Sequence, residues 1–333
     1  MTLISIILVV LIERTFSLNQ YFHYKFYFAH YQKLFQQKIG FNKNWQAEQY
    51  LLVWVAIPVL LVVLVAMMLS GSTLGWLFNI AILYLCFGCP AHRQAYKQYL
   101  AAASRDDKQA CLKYAEQLSQ GFSSKDDDQI QPKADLSDEV EEVKQETPSI
   151  VEASVIAAEQ KDIETVAVEP NEDASEAKAS ECETLGQTLV WLNFSHYFAV
   201  IFWFILLGAP GAVLYVFTRA MSKLDSQEAR LTDIQNVAKR LHHILNWLPA
   251  RITGFAILFV GHFSRALPIW LAGLVKPCAD AREYLTSIAV AAETVDCPEC
   301  DYMTEPFTML KLAKRAFLFI LSVIAILSIA GWI

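Results

Sequence analysis

Three long stretches of this 333-residue chain contain no charged side chain: Leu51–Met68, Gly71–Cys89 and Ala316–Ile333. That lack excludes an ordinary soluble domain, whose helices seldom run so far without charge. Each stretch approaches the roughly 20 residues needed to cross a bilayer core. Cysteine is too sparse for a disulfide framework. Of seven, Cys111, Cys182 and Cys278 are isolated, Cys86 and Cys89 close an apolar run, and Cys297 and Cys300 form a lone CxxC. The two pairs lie about 210 residues apart, and reduced thiols are a better reading of them than a zinc site. The opening MTLISIILVVLIER lacks a basic n-region and a small-residue cleavage site, so it reads as a retained first helix rather than a signal peptide. What is abundant is apolar: 55% of residues are hydrophobic and 12% aromatic, more than soluble domains carry. The expected fold class is all-α, a polytopic helical membrane protein.

Acidic residues are scarce except in one place. Ser124–Cys182 holds 18 Asp and Glu against 5 Lys and no aromatic residue, a net −13 within a chain of −7. The rest of the chain is therefore +6, which suits a body facing anionic lipid headgroups. This composition predicts a disordered acidic linker over 123–182, with the capacity to recruit a soluble partner. It separates a membrane region at 1–122 from a second at 183–333. The loop from Glu13 to Gln49, the residues after Cys89 and the run Lys311–Arg315 are all rich in Lys and Arg. If these face the cytoplasm, both termini lie outside and the linker inside. The aromatic residues Tyr21–Tyr31 read as an interfacial belt next to membrane lipid rather than a nucleic-acid surface.

The second region carries the informative breaks. Leu189–Met221 is too long for one straight span and is interrupted at Gly208-Ala-Pro-Gly211, which predicts a kink or helical hairpin and a candidate pocket floor. Ser222–Leu248 repeats apolar residues at helical spacing (Leu231, Ile234, Ala238, Leu241, Leu245) and is expected to end at Pro249. Gly254–Val275 follows as an apolar segment with His262, Arg265 and Pro268 inside it, fit to lie at the interface. Polar side chains within apolar segments are costly and call for partners. Asn193, Ser195, His196, Tyr215, Arg219, His242, His243, Arg251 and Thr253 together form the candidate ligand pocket. No catalytic residue, metal or cofactor is assigned.

Four segments carry a resemblance: MTLISIILVVLIER, YLAAASRDD (Tyr99–Asp107), LVWLNF (Leu189–Phe194) and NWLPARITG (Asn246–Gly254). They resemble the AmpE family, which implies a bacterial inner-membrane regulatory signalling modulator linked to β-lactamase induction. A more distant resemblance joins FWFILLGAPGAVLY (Phe202–Tyr215) and LHHILNWLPARIT to the CobD/CbiB family of cobalamin synthesis, membrane enzymes that form an amide. In that family the Pro-Ala-Arg segment follows a Leu-Asp-Asp pair, where this chain has Leu241-His242-His243. An Asp in the family's N-x-S-D segment is replaced by His196. Without carboxylates to hold Mg²⁺ and phosphates, the resemblance implies a kept scaffold with the ligase chemistry lost. The reading is a regulator that binds a cell-wall-derived ligand or a soluble partner. The alternative is a membrane enzyme related to adenosylcobinamide-phosphate synthase acting on another substrate. A transporter is disfavoured, since no paired inverted repeat of broken helices is evident.

Overall fold

In the computed structural model the described residues are 2–15, 24–38, 46–88, 90–105, 107–120, 183–224, 229–275, 280–293 and 303–331. They form α1 (Thr2–Thr15), α2 (Tyr24–Lys38), α3 (Ala47–Met68), α4 (Thr73–Cys86), α5 (Pro90–Ala103) and α6 (Lys108–Gln120). After the acidic segment come α7 (Leu185–Asn193), a π-helical turn (Phe194–Phe198), α8 (Ala199–Leu207) and α9 (Ala209–Ser222). The chain continues as α10 (Ala229–Val260), α11 (Phe263–Val275), α12 (Ala281–Ala292) and α13 (Thr304–Ile329). No strand occurs among the described residues. The first membrane region and the second pack into one compact unit, Met1–Ser123 with Glu183–Ile333. The acidic segment, the CxxC cysteines, Cys89 and Cys182 lie outside the described residues.

Four helical stretches among the described residues are long and apolar enough to cross a membrane: Ala47–Met68, Leu185–Leu207, Leu231–Val260 and Thr304–Ile329. Only 22% of the apolar window of α3, and the same share of α13, is covered by protein. Leu60, Leu64 and Met68 on α3 and Leu318, Ile326 and Ile329 on α13 face outward. A soluble protein does not expose so continuous an apolar surface; lipid covers it. α1 is short for a span, and α4 qualifies only jointly with α5 across a 44° bend. This is a multi-pass membrane protein.

Three described helices carry an internal proline, α3, α10 and α11, and in α3 and α10 the same device accommodates it. A proline has no N–H, so the carbonyl four residues earlier loses its partner, which is expensive where water is absent. Pro58 in α3 frees the Trp54 carbonyl, and the Tyr31 hydroxyl of α2 donates to it at 2.8 Å. Pro249 in α10 frees the Leu245 carbonyl, and Trp203 Nε1 of α8 donates to it at 3.2 Å. The expectation that the amphipathic helix ends at Pro249 is therefore corrected: α10 continues to Val260 because an indole replaces the missing donor.

The break at Gly208 is a hairpin. Gly208 adopts φ 73°, ψ −157°, a backbone region essentially reserved for glycine. It ends α8 and starts α9, with Pro210 in the first turn of the new helix, where its missing donor costs nothing. The two limbs approach closely because residue 211 is also glycine: a Cβ there would collide with the Trp203 carbonyl oxygen and the Leu207 side chain. The two limbs are thus in close contact at the apex. α2 docks through an aromatic cluster. Tyr31 lies 5.2 Å and Phe28 5.3 Å from Trp54, with Phe217 of α9 against all three. The described part of the aromatic first loop therefore packs largely inward, although Tyr27 remains exposed.

Candidate functional site

The hairpin and α10 bring polar side chains together where apolar packing would be the default. Arg219, in the last turn of α9, is 1% exposed. Helix C-terminal carbonyls favour a cation there. Its guanidinium donates to the Ser195 carbonyl across the hairpin and lies over the rings of Tyr24, at 5.2 Å, and Tyr215, at 5.7 Å. Ser195 and His196 sit in the π-helical turn, a distortion that carries one extra residue per turn and concentrates at functional sites. His196 Nδ1 stands 3.0 Å from the Leu192 carbonyl, an oxygen that can only accept, so the proton belongs on Nδ1 and Nε2 is left as the acceptor. The Ser195 hydroxyl lies 3.1 Å from the same nitrogen.

Two further elements close the cluster. His92 of α5 packs edge-to-face on His196, with ring centres 4.8 Å apart. On α10, His242 and Asn246 are four residues apart and share a face. The Tyr215 hydroxyl donates to Asn246 Oδ1 at 2.9 Å, both residues being buried. The His242 ring lies 5.2 Å from that of Tyr215, and its buried Nδ1 has no hydrogen-bond partner. His243 is half-buried beside it, and Lys223, just after α9, is exposed.

One carboxylate is drawn into the neighbourhood. Glu13, near the end of α1, pairs with Arg93 of α5 and accepts from the Tyr197 hydroxyl at 3.2 Å. Arg93 also donates to the Glu13 carbonyl at 3.1 Å, and the Gly88 N–H donates to the His196 carbonyl at 3.2 Å. These bonds tie α1 and the α4–α5 turn to the π-helical turn. Among the described residues no group of three or more His, Cys, Asp and Glu could hold a metal ion. A cavity of about 230 Å³ lies elsewhere, between Tyr99, Cys111, Leu185, Glu305 and neighbours.

The residues predicted from sequence as one pocket fall into two places. Ser195, His196, Tyr215, Arg219 and His242 converge, with His243 the next residue along α10, about 100° round the helix from His242. Asn193 is half-buried at the end of α7, just before the π-helical turn. Arg251 is elsewhere, for a geometric reason: nine residues after His242, it points about half a turn away. It donates to the carbonyls of Trp247, at 3.3 Å, and Gly273, at 3.1 Å, and is held between the rings of Trp247 and Tyr284. Trp270 Nε1 donates back to the Arg251 carbonyl at 3.1 Å. Arg251 therefore clamps α10 to α11 and α12. Thr253 is buried, on His242's side of α10 but ~16 Å along the axis. Sequence reasoning missed Glu13, His92, Arg93, Tyr197 and Asn246. Only Asn246 had a readable sign, its spacing of four from His242.

The polar centre lies within the part of the chain that comparisons with known proteins recognise. A family model described as "Regulatory signalling modulator protein AmpE" matches residues 1–131 and 151–333. The chain belongs to the AmpE family. Protein AmpE of Shigella flexneri is 31% identical over 154 residues, 44% of this chain and 53% of that protein; the match spans about half the relative's length. Shorter matches reach the cobalamin biosynthesis protein CobD of Chromobacterium violaceum, 40% identical over 77 residues, 22% of this chain and 24% of that one. The probable cobalamin biosynthesis protein CobD of Methanothermobacter thermautotrophicus is 48% identical over 60 residues, 17% and 19% of the two chains. No solved structure matches. This AmpE-family chain thus shares a segment with CobD proteins.

Proposed function

We propose that this protein is a regulatory component of the bacterial inner membrane that modulates β-lactamase induction, acting by recognition of a ligand or partner at the Arg219 centre. Its basic loops face the cytoplasm. Membership of a family of regulatory signalling modulators supports the role. The observation that carries the site is Arg219 itself, a permanently charged side chain buried to 1% within a membrane body. Intramembrane ionisable groups are retained at a cost and mark function more often than scaffold. The test is complementation: a strain lacking its AmpE protein receives this chain or its His242→Gln variant, and β-lactamase output is followed after a β-lactam inducer. Restored induction with the wild type and a loss of at least several-fold with the variant, at equal membrane abundance, is expected. Equal induction with and without the chain would remove the role.

The CobD matches favour a second reading, a membrane enzyme acting on another substrate. It is the weaker of the two. The slot that carries two carboxylates in the CobD resemblance holds His242 and His243, and Asp233, the only acid of α10, is exposed. Turnover of ATP by the purified chain would bring it forward.

A further inference from the structure

A π-helical turn is a rare geometry, and the three central residues of this one are each held by another element. The Arg219 guanidinium donates to the Ser195 carbonyl. The Gly88 N–H donates to the His196 carbonyl at 3.2 Å. The Tyr197 hydroxyl donates to Glu13 Oε1 at 3.2 Å. Two of these three holds come from the first membrane region, and they lie side by side. Glu13 Oε1 also accepts from Arg93, and a Cβ built on Gly88 would stand 2.9 Å from that same oxygen. A neighbouring pair on α5 thus faces a neighbouring pair of the turn. His92 packs on His196 with ring centres 4.8 Å apart, and Arg93 reaches Tyr197 through the carboxylate. The fastening of α1 to α5 has a second bond, from Arg93 to the Glu13 backbone carbonyl at 3.1 Å. What the carboxylate alone supplies is the link to Tyr197.

Resting on the reading of the Arg219 centre as the recognition site, we infer that Glu13 is a positioning residue of that site. Through the Tyr197 hydroxyl its carboxylate holds the π-helical turn in the orientation that gives the Ser195 carbonyl to Arg219 and the His196 ring to His92. A hydrogen bond to an ionised acceptor is stronger than a neutral one, and within a membrane body water is not at hand to replace a lost partner. The link has leverage because Ser195, His196 and Tyr197 are consecutive, so a shift of one carries the other two. The Arg93 side chain is 38% exposed and that of Glu13 15%. The link therefore runs from the edge of the body inward, and the first membrane region sets the geometry of a centre built mainly from the second.

Two variants cut the link at different points. Tyr197→Phe removes one oxygen, leaves the Glu13–Arg93 pair, and keeps the ring that packs on Phe87, at 5.0 Å, and Phe317, at 6.3 Å. Glu13→Ala removes the carboxylate. The control is Trp270→Phe, which loosens the Arg251 clamp without touching the turn. Each full-length chain, isotopically labelled at its histidine nitrogens and held in nanodiscs, is read by NMR, with the His196 signal assigned by its loss in His196→Gln. The same variants are followed for induction in the strain lacking its AmpE protein, at equal membrane abundance. A shifted His196 signal and a several-fold loss of induction in both Tyr197→Phe and Glu13→Ala, with the signal unmoved in Trp270→Phe, supports the inference. A His196 signal unchanged in Tyr197→Phe, or moved equally by Trp270→Phe, overturns it. Full induction with Tyr197→Phe also overturns it where His242→Gln has lost induction, and the recognition site then stands. Where both variants keep full induction, the recognition site itself falls and the inference with it.

Discussion

The hydrogen bond from Tyr215 to Asn246 is the point at which α9 locks onto α10, and its removal gives a measurable prediction. Tyr215 is 0% exposed and Asn246 3%, with 2.9 Å between hydroxyl and amide oxygen. Tyr215→Phe deletes one oxygen and leaves the Asn246 carbonyl buried without that donor, a loss of about 1–3 kcal/mol in proteins generally. Hydrogen bonds between membrane helices average nearer 0.6 kcal/mol, because the unfolded chain in lipid also finds partners. Complete burial on both sides places this bond above that average, at about 1–2 kcal/mol, or a five- to thirtyfold change in the unfolding constant. Asn246→Leu should cost a similar amount, since it strands the phenol instead. The double variant should cost much less than the sum, because two apolar partners need nothing from each other. Equilibrium unfolding in mixed micelles, followed by tryptophan fluorescence, reads all four corners of the cycle. Additivity within about 0.5 kcal/mol would refute the reasoning, since uncoupled sites behave that way.

Three other outcomes are expected. Trp203→Phe removes the donor that serves the Leu245 carbonyl and should destabilise by about 1–3 kcal/mol; adding Pro249→Ala, which restores an N–H, should recover part of that loss in the same unfolding assay. Gly208→Ala forces a side chain into a glycine-only backbone region and should cost about 1–3 kcal/mol, read as a lower midpoint and a looser hairpin in cysteine cross-linking of its limbs. On α12, burial pushes the Tyr284 phenol up to about 12 against the pull of Arg251 beside it. The folded state therefore prefers the neutral phenol. Its contribution is complete below the unfolded value of about 10 and is lost as pH rises from there through 12. A Tyr284→Phe chain should show a shallower decline in stability over that window.

Much of the architecture was legible because bilayers impose simple demands. Uncharged runs gave α3 and α13 directly, and the Gly-Ala-Pro-Gly break gave a hairpin since only glycine tolerates the backbone at 208. The end of α10 was not legible. Proline stops a helix locally, and whether Trp203 stands ready to serve the orphaned carbonyl depends on a contact 42 residues away. The same holds for Tyr31 and Pro58. Ser195, His196, Arg219 and the histidine pair could be gathered from sequence because polar groups are conspicuous against an apolar background. Glu13, His92 and Arg93 could not. They come from the first membrane region and meet the π-helical turn only through tertiary packing, while as sequence they read as ordinary loop charges. Arg251 misled for the opposite reason: proximity along the chain to His242 concealed an opposite heading on the helix.

The five residues Phe194–Phe198 act as a vernier in the long rod from Leu185 to Leu207. One end of that rod is moored at the Glu305 carboxylate, which accepts from the Thr184 hydroxyl and the Gly186 N–H; the other is fixed by the Gly208 corner. A surplus residue between two moorings, taken up as a π-turn, is absorbed locally and re-aims the side chains of that turn without moving either anchor. Excising one amino acid there would let the ladder relax to ordinary α-geometry while rotating a different side chain toward Arg219. The rod would survive and its address would change, so a one-residue deletion at this spot should separate folding from signalling more cleanly than any point substitution.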